Sequence, residues 1–160
     1  MSEVVDLLII NNAPAFYKVN LYNEVNKYCR IHVIFVGFTK EVVIAPDFTK
    51  NIEFSYEILT RKELTSRNKI IVLYRLLKAV GRIKFTKIIY GGYSEIEVAL
   101  LTLLYPKYKN VLQFETSIKE TKLNGIIGYI KKRFFKRFST VLTSGKLQSD
   151  VFRYLGYKGS

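Results

Sequence analysis

Two short stretches carry the residue types that could do chemistry in this chain. In the first, Ile89-Tyr90-Gly91-Gly92-Tyr93-Ser94-Glu95-Ile96-Glu97, a strand-like apolar run meets a glycine pair. Glycines there permit φ above zero and let another molecule approach the backbone. Ser94 and Glu97 have the S-x-x-E spacing of a capping box, which predicts a helix starting there. In the second, Gln113-Phe114-Glu115-Thr116-Ser117, Glu115 follows an apolar run. A carboxylate at the carboxyl end of a parallel strand faces the ligand edge of an open sheet. It can accept a hydrogen bond from a substrate hydroxyl there, or take its proton. The structural alternative for Glu115 is a cap, or a partner for Lys119.

Other chemistries find no support. The loop after Ile10 is Asn-Asn-Ala-Pro-Ala, so the G-x-G-x-x-G of a dinucleotide-binding turn is missing, and no P-loop occurs anywhere. One Cys and one His cannot make a zinc site. Neither a metal nor a cofactor is therefore expected. His32 falls mid-strand and Cys29 on the apolar face of a helix, both read as structural. A single cysteine also excludes an internal disulfide and fits a reducing cytosol.

The elements that must position Glu115 and the glycines follow from periodicity. Apolar runs at 4–10 and 31–36 read as buried strands, 86–90, 110–114 and 140–143 as further strands, and 53–59 alternates like a strand nearer an edge. Helical patterns fill 17–29, 68–82, 94–105, 124–138 and 146–155. Strands alternating with helices predict a mostly parallel sheet in a Rossmann-like three-layer α/β domain, residues 1–160 forming a single unit.

Charge is the strongest global feature, at +13 formal. Residues 1–60 hold 5 Lys/Arg against 7 Asp/Glu, and residues 61–160 hold 21 against 6. Such asymmetry suggests an anionic partner, either nucleic acid or a membrane surface. In the 124–138 helix, Ile126, Ile127, Ile130, Phe134 and Phe138 share one predicted core face. Lys132, Arg133 and Lys136 lie opposite, with Lys131 at the margin and Phe135 among the basic residues. A basic helix with an extra exposed aromatic is a membrane-surface pattern. Arg75, Lys78 and Arg82 form a second basic stripe, in a stretch where Glu63 alone offsets the cations. Most Tyr and Phe fall at predicted core positions rather than beside basic residues, which makes nucleic acid the weaker partner. A regulatory or scaffold α/β domain without catalysis is the other rival.

Four motifs recur in a familiar order: Asn12-Ala-Pro-Ala-Phe-Tyr17 with Asn20-Leu-Tyr-Asn-Glu-Val25; Ile89-Tyr-Gly-Gly-Tyr-Ser94; Leu112-Gln-Phe-Glu-Thr-Ser117; and Phe138-Ser-Thr-Val-Leu-Thr-Ser-Gly145 with Asp150-Val-Phe-Arg-Tyr-Leu-Gly156. Together they resemble the N-terminal domain of a GT-B glycosyltransferase near glycosyltransferase family 4, of the bacterial surface-polysaccharide type. The resemblance implies an acceptor-binding half, either excised or one subunit of a split enzyme. A further domain would hold the nucleotide sugar, and transfer would go to a glycan or lipid-linked acceptor at the cytoplasmic membrane face. It further implies Glu115 as the catalytic candidate and acceptor contacts from Pro14, Tyr17, Gly91, Gly92, Tyr93, Thr116 and Ser144. The chain departs from the family in lacking a glycine pair in the first loop and a histidine near the fifth strand.

Overall fold

In a computed structural model of the chain, residues 3–40, 48–91, 93–116 and 124–157 are described. They form β1 (Glu3–Asn11), α1 (Phe16–Asn26), β2 (Ile31–Phe35), β3 (Ser55–Ile58), α2 (Lys69–Val80), β4 (Ile83–Tyr90), α3 (Ile96–Leu101), β5 (Asn110–Phe114), α4 (Gly125–Phe135), β6 (Thr140–Thr143) and α5 (Lys146–Tyr154). All six strands are parallel, in the order β3-β2-β1-β4-β5-β6. This is the Rossmann-like three-layer α/β arrangement that the alternation of patterns predicts. The strand order reverses between β1 and β4, so the carboxyl ends of these two strands diverge into a crevice.

Successive strand residues point to opposite faces. Leu8 and Ile10 of β1 join Ile88, Tyr90, Leu112 and Phe114 in one apolar cluster with α2, α3, α4 and α5. Ile9, between them, joins Ile31, Val33 and Phe35 in a second cluster, closed by Val19 and Tyr22 of α1. One face of the sheet thus carries four helices and the other mainly α1. Asn68 caps α2, its side-chain oxygen accepting from the N–H groups of Ile70 and Ile71. His32 is buried mid-strand and hydrogen-bonds Ser55 at 2.7 Å, a structural role. Cys29 is partly buried against the α1 cluster. No helix among the described residues is long and apolar enough to cross a membrane.

Two sequence expectations fail. The capping box does not form: α3 begins at Ile96 behind an N-cap Glu95 that makes no side-chain cap bond, and Glu97 is buried in an ion pair with Arg67. That pairing draws the carboxylate inward, away from the Ser94 backbone. The inward face of α4 is also rotated from the prediction, keeping Phe134 and Phe138 but exchanging the isoleucines for Phe135. Phe135 is 2% exposed and Ile130 59% exposed. Phe135 lies edge-on to Phe114 and tilted against Phe152, with ring centroids 5.7 and 5.0 Å away. Ile126 and Ile127 are exposed as well, whereas Phe138 is buried and Phe134 partly so. Phe135 is therefore a core residue and not a membrane contact.

Candidate functional site

A crevice of about 480 Å³ opens where the carboxyl ends of β1 and β4 part. Asn11 and Asn12 at the end of β1, Gly91 after β4, Tyr17 and Lys18 of α1, Arg67 before α2, and Glu95 and Glu115 line it. A Cβ on Gly91 would sit 3.0 Å from Asn11 Nδ2 and 3.2 Å from Gln113 Oε1. The glycine thus makes room for two side chains of the chain itself, and its φ is not positive: among the described glycines φ is positive only at Gly125 and Gly156. Gly92 lies outside the described residues.

A chain of hydrogen bonds runs beneath the crevice. Asn11 Nδ2 donates to the Tyr22 hydroxyl (2.6 Å), which donates to Gln113 Oε1 (3.2 Å). Gln113 Nε2 donates to Glu115 Oε1 (3.1 Å), and the same oxygen takes the Lys18 ammonium. Burial raises the Tyr22 pKa strongly, so its hydroxyl stays a donor at neutral pH. Burial first, and then the Glu115 charge, raise that of Tyr17. Lys18 is 3% exposed, while the Glu115 carboxylate is half in solvent. Among the described residues nothing donates to Glu115 Oε2. Glu115 is therefore held by α1 and β5 from one side and open to a ligand from the other.

On the far wall Arg67 is buried and forked. Nε donates to Glu97 Oε1 at 2.6 Å, Nη2 to Glu95 and Nη1 to the Leu64 carbonyl. Burial opposes its charge, but the bonds to Glu97 and Glu95 outweigh it and the pKa rises. Both buried cations of the crevice are thus met by carboxylates, and Lys69 stands at its exposed rim. Among the described residues, nothing hydrogen-bonds the buried acceptors Asn12 Oδ1 and Glu97 Oε2. No group of three metal-ligating side chains occurs among the described residues.

The residues singled out from the sequence distribute unevenly. Glu115, Tyr17 and Gly91 line the crevice. Pro14 is buried between Ala13 and Ala15, whose own side chains form its wall. The Tyr93 ring stacks on Phe114 at 5.6 Å, inside the core, with its hydroxyl 3.5 Å from Thr116 Oγ1. Ser144 lies on the other sheet face, at an apolar groove of about 300 Å³ between α1 and β5–β6. Of the basic residues, Lys78, Lys132 and Lys136 are exposed and Lys131 partly buried. Arg75 donates to the Leu59 carbonyl at 2.7 Å, and Arg82 pairs with Glu57 at 2.6 Å. Glu63 is accordingly not alone in offsetting this stretch: Glu57, Glu95 and Glu97 also take its arginines. Lys119, the alternative partner of Glu115, lies outside the described residues.

Asn11, Lys18, Arg67 and Gln113 carry the site without having been read from the sequence. Lys18 had one local signal: it stands four residues before Tyr22, on the inward face of α1. Arg67 had none, since its carboxylates come from another helix. No family model, curated protein or solved structure matches this chain.

Proposed function

We propose that this domain is the acceptor-binding half of a glycosyltransferase, holding a sugar hydroxyl at Glu115. The observation that carries the reading is the character of the crevice at the strand-order reversal. It is roomy and polar, and its two buried cations are already neutralised by carboxylates. A phosphate would find little uncompensated positive charge in it, despite the +13 of the whole chain. Side-chain amides and a half-exposed carboxylate suit a ligand rich in neutral hydroxyls.

On this reading the nucleotide sugar is held by another domain, as the resemblance implies. The acceptor oxygen attacks the anomeric carbon of the donor. A carbon–oxygen bond forms there, the bond to the diphosphate oxygen breaks, and the nucleoside diphosphate leaves with the electron pair. Glu115 orients the attacking hydroxyl and, in an inverting enzyme, takes its proton. The acceptor is a glycan or a lipid-linked sugar at the cytoplasmic membrane face.

Amide resonances of the isotope-labelled chain, followed while short neutral oligosaccharides, a nucleoside diphosphate or duplex DNA are added, test the reading. Oligosaccharide should move Asn12, Lys18, Gly91 and Glu115, and Glu115→Gln should weaken the response. No saccharide response at these residues, or a tighter response to DNA, would overturn it in favour of the basic nucleic-acid-binding or scaffold alternative.

A further inference from the structure

We propose that a basic pocket at the amino edge of the sheet binds a compact, soluble anion with several clustered phosphates, of the inorganic polyphosphate class. The pocket holds about 500 Å³. It lies between the carboxyl ends of α4 and α5 and the 3-10 turn Lys107–Lys109 that leads into β5. Lys107, Lys132 and Lys136 line it, and no Asp or Glu does among the described residues. All three lysines are exposed. Among the described residues, none of them pairs with a carboxylate.

Local structure gathers these cations. Lys132 stands in the last turn of α4 and Lys136 caps its end, an i, i+4 pair on one side of the helix. Lys107 comes from a separate segment. Phe135 and Leu155, 2% and 6% exposed, make the apolar base. The wall on the α5 side is fixed by a Schellman turn, in which Tyr157 N donates to the Phe152 carbonyl at 2.9 Å and Gly156 takes φ +64°. The turn brings Tyr157 back against the domain, where its hydroxyl donates to the Phe138 carbonyl at 3.0 Å.

The arrangement opposes folding unless an anion repays it. Like charges at i, i+4 on a helix repel. The carboxyl ends of α4 and α5 offer roughly half a negative charge each, so about two of the three positive charges stay unmatched. The crevice at the other edge of the sheet is the reverse case, since both its buried cations meet carboxylates. Three ammonium groups around a cavity of ligand size suit phosphate oxygens, which accept charge-assisted hydrogen bonds. The aromatic rings are already engaged. Phe135 is packed in the core, and Tyr157 lies against Phe152 at 5.6 Å with its hydroxyl bonded. Phosphates, and not a nucleobase, are therefore what the pocket recognises. The cations surround a concavity rather than follow a ridge, which favours a compact anion over a duplex.

Sodium tripolyphosphate, added to the isotope-labelled chain at constant ionic strength, tests the proposal. The amides of Lys107, Lys132, Lys136 and Gly156 should shift, and those of Asn12 and Gly91 should not. At about ten times the Kd the melting temperature should rise by roughly 3–6 °C. Lys132→Gln with Lys136→Gln should weaken binding roughly 5- to 30-fold. It should not lower the melting temperature of the free chain, because two repelling cations are removed. Lys78→Gln with Lys146→Gln, exposed on α2 and α5, removes the same charge away from the pocket. That pair should leave binding within about twofold, since distant charges are screened. A response centred on the crevice, no rise in melting temperature, equal losses in the two double variants, or tighter binding to duplex DNA at matched phosphate concentration would each overturn the proposal. The saccharide titration reads the opposite edge of the sheet, so neither proposal depends on the other.

Discussion

Lys18 and Glu115, 97 residues apart in sequence, meet as an ion pair in which the cation is buried and the carboxylate half exposed. The asymmetry gives the pair a direction. Water can solvate the carboxylate if the ammonium is removed, but it cannot reach the ammonium if the carboxylate is removed. Glu115→Ala should therefore cost roughly 1–3 kcal/mol, the range for an unsatisfied buried group. Lys18→Met should be nearly neutral, an apolar chain replacing a desolvated cation. Urea denaturation of the two variants checks the order; equal losses would mean that the pair is uniformly solvated.

Arg67 sets a stricter case, since Glu97 is itself only 1% exposed. Arg67→Met leaves that carboxylate buried and alone, at an expected cost of about 3–5 kcal/mol. Adding Glu97→Met should restore most of the loss, because an apolar pair can fill the same space. Thermal melts of the single and double variants measure the recovery.

The phase of α4 predicts opposite outcomes for two substitutions five residues apart. Phe135→Ser removes a ring packed among Phe114, Phe134 and Phe152 and should cost about 3–5 kcal/mol. Ile130→Ser changes an exposed side chain and should stay within roughly 0.5 kcal/mol of the parent. Comparable melting temperatures for the two would place the helix in another phase.

Gly91 ties the fold to the site. Gly91→Ala adds a methyl that meets Asn11 and Gln113, both members of the hydrogen-bond chain leading to Glu115. Overpacking of this kind costs typically about 1–3 kcal/mol. The saccharide response at Glu115 should fall as well, because the amides that support it are displaced. An unchanged titration would mean that this chain does not position the carboxylate.

The sequence by itself determined the α/β class, the parallel strands and the place of Glu115 at the end of β5. These are local properties: β-branched runs make strands, and alternation with helices requires crossovers. β6 and α5 begin at the residues that periodicity assigned, Thr140 and Lys146. The tertiary structure alone decided the partners of Glu115 and Arg67, because ion pairs spanning 97 and about 30 residues leave no mark in any short window. It also decided which side of α4 turns inward. That helix carries two apolar stripes, isoleucines at 126, 127 and 130 and phenylalanines at 134, 135 and 138. Periodicity counts both as core-forming. Ring packing accompanies the choice: Phe114, Phe152 and Tyr93 meet Phe135 edge-on or tilted, contacts between aromatic rings that an isoleucine cannot make.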